Sequence, residues 1–320
     1  MIDMRESITA KLCSFARAYH SNFERQKIFD DYLAYDLMGR SEYEEIGQLI
    51  ENGFDLGKSP SYANFNGACV YPTLNRYISP IPLSRIAFAE RELIRFATEN
   101  GDCQYVICGA GMDTFAFRNT NPQIRVFEID HPDTQQYKLS RVRQLEWNIP
   151  GNVRFVAVDF ARDDMIQKLQ DAGFDPTVPS YFSILGVTYY LTLPVFEQTI
   201  EKIGQLSGSG NQIVFDFPDE TTFAPGSVER VRHLTEITAK LGEPMLHGFT
   251  PQEIREALFR HGFSVIIHEM PEAIQNHFFG NRKDAQYAFE NIHFISPFTT
   301  ILYLLLAIGI SPNLLFIVVA

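Results

Sequence analysis

A double-glycine turn and three carboxylates, each set directly behind a short apolar run, are the residues of this chain best placed for chemistry. The turn is Gly109-Ala110-Gly111-Met112-Asp113, after Tyr105-Val-Ile-Cys108. Glu128 and Asp130 close a second run that begins at Ile124, and Asp159, followed by Phe160, closes a third that begins at Val153. Glycines at 109 and 111 let the backbone bend sharply and approach a ligand closely. In open α/β sheets ligands bind beyond the carboxyl ends of the strands. An acid behind the second strand lies where a ribose diol would lie and can accept both hydroxyl protons. An aspartate behind the third can accept from an adenine amino group, with Phe160 covering the ring face. Taken singly, each acid is better read as a helix N-cap. All of them in order, behind a glycine turn, point to an adenosine-bearing ligand.

The turn also discriminates between such ligands. It reads G-A-G-M-D-T, so Thr114 stands where a dinucleotide fingerprint carries its third glycine. That loop is poorly suited to a pyrophosphate on a helix N-terminus. Asp113 would repel a diphosphate and would suit a cationic end, such as the amino group or sulfonium of S-adenosylmethionine. Arg85, on the segment before the first strand, can offer a bidentate fork to a methionine carboxylate. From spacing alone a solvated surface arginine is the better reading. No residue stands out as a general base. His20, His131, His233 and His247 have no telling spacing. Tyr189 and Tyr190, behind the fourth strand, face the substrate side by alternation. A carboxylate acceptor needs no base, whereas a phenol or alcohol does.

Alternating elements must position these groups. Strands are expected at 105–108, 124–129, 153–158, 181–185 and 212–217, with helices at 113–117, 131–146, 163–172 and 194–207 between them. This alternation implies parallel strands joined by right-handed crossovers. Two late strand candidates follow, Phe263 to Glu269 and Asn291 to Ile295. A helix before the first of them opens at Thr250-Pro-Gln-Glu253, a capping-box pattern. Upstream, residues 1–52 show helical spacing, with Asp30 as a cap candidate. Residues 53–82 read as loops, and the prolines of Ser79-Pro-Ile-Pro-Leu83 place a helix start near Leu83. Phe15, Tyr19, Phe29, Phe54 and Tyr71 suit either a lid over an aromatic or acyl substrate or ordinary helix packing.

The 320 residues are 45% hydrophobic and 21% charged, which suits one large α/β domain with a helical extension. The net charge of −12 argues against a nucleic-acid or anionic-membrane surface. Cys13, Cys69, Cys103 and Cys108 form no C-x-x-C pair and read as reduced thiols, with no metal site expected. The N-terminus has no signal-peptide core, so a cytoplasmic protein is expected. The 23 residues from Phe298 to Ala320 carry no charge and are long enough to span a bilayer, although Ser311-Pro-Asn313 interrupts them. A membrane tether over 298–320, added core, and a tail foreign to the parent fold remain alternatives.

Four stretches in order resemble the leucine carboxyl methyltransferase family, within it the bacterial S-adenosylmethionine-dependent O-methyltransferases linked to polyketide tailoring. They are Tyr105 to Arg118, Phe127-Glu-Ile-Asp-His-Pro132 with Gln135 and Lys138, Phe155-Val-Ala-Val-Asp-Phe160, and Leu185-Gly-Val-Thr-Tyr-Tyr-Leu191. Arg17-Ala-Tyr-His20, Ile28-Phe-Asp-Asp31, Gly280-Asn-Arg282 and His293-Phe294 extend the likeness over about residues 10 to 295. The resemblance implies a class I methyltransferase sheet, Rossmann-like and doubly wound, with the late strands inserted antiparallel beside the fifth. It divides the chain into an N-terminal helical lid (1–82), a cofactor-binding domain (83–296) and an apolar tail (297–320). It implies S-adenosyl-L-methionine as cofactor, with Arg85, Gly109, Glu128, Asp130, Asp159 and Phe160 matching the family's binding positions; Ala110, Gly111, Asp113 and Leu185 complete the expected cofactor-binding set. The implied acceptor is a carboxyl or hydroxyl oxygen of a small molecule, polyketide-like and of secondary metabolism. Many members carry a Glu at position 185, so Leu185 puts a protein-leucine substrate in doubt. An inactive binding module and an NAD-dependent oxidoreductase are the competing readings.

Overall fold

The computed structural model describes residues 7–55, 70–160, 162–206, 210–284 and 286–299. All three readings of the tail beyond residue 299, and Cys69, lie outside them. Among the described residues no helix is long and apolar enough to cross a membrane.

Seven strands form one sheet: β1 (Cys103–Cys108), β2 (Ile124–Asp130), β3 (Val153–Ala157), β4 (Ser180–Ile184), β5 (Gln212–Pro218), β6 (Phe263–Glu269) and β7 (Ile292–Thr299). Their order is β3-β2-β1-β4-β5-β7-β6, with every pairing parallel except the two that β7 makes. This is the late antiparallel pair that the resemblance implied and that an NAD-dependent oxidoreductase was expected to lack. The sheet order reverses between β1 and β4, so both carboxyl ends open onto one crevice.

The period-two alternation of the strands divides two apolar layers between the sheet faces. Tyr105, Ile107, Val126, Tyr181 and Val214 pack beneath α5 (Pro80–Asn100). Val106, Cys108, Phe127, Ile129, Phe182 and Ile184 pack on the other face, with side chains of α8 (Met165–Asp171), α9 (Leu193–Gln205) and α11 (Pro251–Arg260). The Thr250 box forms as the sequence implied: its hydroxyl accepts from Glu253 N, and Glu253 returns to Thr250 N at 2.7 Å. The short α6 (Phe115–Arg118) and the longer α7 (Pro132–Gln144) complete the parallel crossovers, and α12 (Pro271–Ile274) lies between the antiparallel β6 and β7.

A third apolar cluster holds the N-terminal helices α1 (Ile8–Phe23), α2 (Ala34–Met38), α3 (Arg40–Glu51) and α4 (Val70–Thr73) together. It includes Ile237 and Leu241, at the end of α10 (Glu229–Lys240), whose earlier turns place Val231 and Leu234 in the α5-side layer. Thus α10 joins the N-terminal helices to the sheet.

Four expectations need correction. The helix expected near Leu83 is α5, but residues Val70 to Ile78, expected as loop, are helical too, because Val70, Leu74 and Ile78 fall four apart on one buried face and override the loop-like composition. The prolines do not stop that segment. Pro80 and Pro82 sit in the first turn of α5, where backbone N–H groups have no intrahelical acceptor anyway. Asp30 caps no helix and instead accepts from Ser21 Oγ at 2.5 Å. Finally, β7 runs to Thr299, so the boundary at 296 would cut through a strand paired on both sides.

Candidate functional site

A cavity of about 240 Å³ opens at the carboxyl ends of β1 and β4, under α1, α5 and α10. The glycine turn forms its floor because β1 must leave the sheet abruptly there. Gly109 takes φ +72°, and a Cβ at that position would stand 3.3 Å from Val187 Cγ2. Gly111 is also left-handed, at φ +50°. Its N–H donates to Asp130 Oδ2 at 2.5 Å, while His131 N donates to Oδ1 at 2.7 Å. Asp130 therefore ties the turn to the end of β2. Burial raises its pKa, opposed by these two amides. Asp113 Oδ1 accepts from Phe115 N at 2.6 Å, fixing the start of α6.

Six of the ten expected site residues line the cavity: Arg85, Gly109, Ala110, Gly111, Asp113 and Leu185. The other four do not. Glu128 is buried against Lys138, which donates to its Oε2, and its Oε1 has no hydrogen-bond partner. Burial pushes the Glu128 carboxyl up to about 7, against the opposing pull of Lys138. Asp159 and the half-exposed Phe160 follow β3, beyond the crevice, with Asp159 N donating to Asp163 Oδ2 at 2.9 Å.

Arg85 is not a surface arginine. Its Nη1 stands 3.2 Å from Asp216 Oδ2 and its Nη2 3.7 Å from Cys13 Sγ, while its buried Nε lacks a partner. Burial alone would lower the pKa of its guanidinium, but Asp216 outweighs that and the net shift is upward. Asp216 Oδ1 accepts from Gly186 N at 2.7 Å, and its Oδ2 accepts from Tyr189 Oη at 2.6 Å. Gly186 is required here: its φ is +73°, and a Cβ would fall 2.5 Å from Arg85 Nη2. Burial, reinforced by Asp216, keeps the Tyr189 phenol well above its usual pKa. A buried cation that lines the cavity beside a glycine turn and keeps one N–H without a partner fits the carboxylate end of S-adenosylmethionine.

Sequence reasoning missed several of these groups. Asp216 was legible as an acid inside the apolar run Gln212 to Phe217. The α10 residues Leu234, Ile237 and Thr238 wall the cavity, and their helical spacing with Val231 was the available signal. Arg17 had no such signal as a site residue. It lines the cavity, pairs with Asp31 at 2.5 Å and donates to Met112 O at 2.9 Å. Asp31 also accepts from Thr114 Oγ1 at 2.5 Å, so α1 is bolted to the glycine turn through buried charge. Cys13, Cys103 and Cys108 are free thiols. None of the histidines lines the cavity. Among the described residues no cluster could hold a metal ion.

Comparisons with known proteins agree with this geometry. A family model described as leucine carboxyl methyltransferase matches residues 10–204. The Bacillus subtilis protein YktD, named as an S-adenosyl-L-methionine-dependent methyltransferase, is 38% identical over 299 residues, covering 90% of this chain and 96% of its own. A Mycobacterium tuberculosis protein with the same style of name, Rv0830, is 36% identical over 46% of this chain and 48% of its own. A crystal structure from Thermobifida fusca, titled as a methyltransferase, superposes with a TM-score of 0.51 at 18% identity. It covers 77% of this chain and 91% of that one.

Proposed function

This chain belongs to the leucine carboxyl methyltransferase family and is an S-adenosylmethionine-dependent methyltransferase; from that premise we propose that it methylates a carboxylate oxygen of a small, largely apolar molecule. The lining of the cavity carries this reading. Leu12, Ile78, Ile81, Leu234, Ile237 and Met245 make much of its wall, and among the described residues no histidine, lysine or glutamate lines it. Asp113, its one carboxylate, has an oxygen committed to Phe115 N. The Tyr189 hydroxyl donates to Asp216 and has its pKa raised, so it is a poor base. An acceptor that is already ionised suits such a site, because nothing there need remove a proton. The apolar wall supports a secondary-metabolite acceptor of polyketide-like character.

The bound cofactor supplies an electrophilic methyl group on a sulfonium. The protein's task is to hold the oxygen in line and exclude water. We assign Arg85 to the methionine carboxylate through its unpartnered Nε edge, with Asp216 fixing the guanidinium plane. The Gly109-Ala110-Gly111 backbone and Leu185 flank the same end, and Asp113 faces the cationic groups. Asp130, supported by Glu128, takes the ribose side, and Asp159 with Phe160 the adenine side. Residues 1–82 act as a lid, and the cofactor-binding domain runs from 83 to the end of β7.

The test is methyl transfer from labelled cofactor to panels of carboxylic acids and phenols. The expected product is a methyl ester that releases its label as methanol in alkali. Label appearing only in alkali-stable ethers would show a hydroxyl acceptor and overturn the carboxylate reading.

A further inference from the structure

We infer that the acceptor enters between the N-terminus of α1 and the loop after α10, and that its apolar tail lies in the shallow depression outside that point. The depression is lined by Ser7, Tyr190, Glu243, Pro244 and Leu246 and is more open than the cavity. Ser7 and Tyr190 line both spaces, so the two meet at this cluster. What closes the gap is polar. The Glu243 carboxylate accepts from Ser7 Oγ at 2.9 Å, Ile8 N at 2.7 Å and Thr9 N at 3.2 Å, and also from Thr9 Oγ1. Thr9 Oγ1 in turn meets Tyr190 Oη at 3.2 Å.

A seal of this kind can open. The amides it satisfies belong to the first turn of α1, where water can replace a side-chain acceptor. The loop stays anchored while it does, because Leu246 N donates to Tyr189 O at 2.9 Å. Charge sets the orientation. A carboxylate is disfavoured beside Glu243 and favoured beside Arg17 within, so the head lies inward and the tail outward. Leu246, 58% exposed at the mouth, then has an apolar partner. The substrate class is an acid with an elongated apolar tail. The inference rests on the carboxylate reading for the head group alone.

Straight-chain alkanoic acids of increasing length, titrated calorimetrically into protein saturated with S-adenosylhomocysteine, test it without any chemistry. Affinity is expected to rise about fourfold per buried methylene, equivalent to about 0.8 kcal/mol, and to keep rising once the inner cavity is filled. Leu246→Glu should remove the gain for long acids, leaving short acids and S-adenosylhomocysteine unaffected. Glu243→Gln should speed association of long acids severalfold with unchanged S-adenosylhomocysteine affinity. No binding of any acid, affinity that stops rising with length, or equal weakening of all acids in Leu246→Glu would overturn the inference. Length-dependent binding without methylation would instead overturn the carboxylate acceptor and leave the entry route standing.

Discussion

Arg85→Lys separates a cofactor-binding arginine from a merely structural one. Among the described residues Arg85 has one charged partner, Asp216, which is fully buried and retains Gly186 N and Tyr189 Oη as donors. Deleting the cation would strand that carboxylate, at a cost of about 3 to 5 kcal/mol in stability. Lysine keeps a positive charge opposite Asp216, so the fold should survive. What lysine lacks is the planar fork, including the Nε–H that has no partner in the protein. If that edge grips the methionine carboxylate, the variant loses one charge-assisted hydrogen bond, about 1.5 to 3 kcal/mol, or roughly 10- to 150-fold in dissociation constant. The assay is calorimetric binding of two ligands. S-adenosylhomocysteine carries the carboxylate, whereas methylthioadenosine shares the adenosine but has no amino-acid end. The first should weaken by the stated factor, and the second should change less than about twofold. Equal loss for both ligands, or no loss for either, would refute the assignment.

Asp130→Asn should weaken both ligands alike, by about 1 to 3 kcal/mol, because the ribose is common to them; selective loss of S-adenosylhomocysteine would place Asp130 elsewhere. The pKa of His20 is lowered from 6.5 to about 3, by burial first and then by Arg282 and Lys27. Between those values the unfolded chain binds a proton that the folded chain refuses, so stability should fall as pH drops from about 6.5 towards 3. Urea midpoints of His20→Gln should fall less steeply over that window, and parallel slopes for variant and parent would contradict the assignment. Truncation after Ser296 removes Pro297, Phe298 and Thr299, which pair with Val265, Ser264 and Phe263 of β6. Its thermal midpoint should lie below that of a chain ending at Thr299, and equal midpoints would show that the end of β7 contributes nothing.

Period and order were local properties, and the sequence determined them. The alternation of apolar runs with amphipathic segments fixed seven strands within a few residues of their bounds. The Thr250 box announced its own helix, because a capping box is made of residues three apart. The resemblance through Gly109, Asp130, Asp159 and Leu185 carried the family and the strand insertion. Composition misled where burial overrode it, as at Val70 to Ile78. What only the tertiary structure decided depends on partners far apart in the chain. Arg85 looked solvated until β5 brought Asp216 beneath it, 131 residues away. Arg17 became a site residue because Asp31 and the Met112 carbonyl turn it towards the glycine loop. The glycine turn itself was legible, since φ above zero is written in the residue type. The space it faces was not, because that space is bounded by α1, α5 and α10, whose convergence is a property of packing rather than of any one stretch.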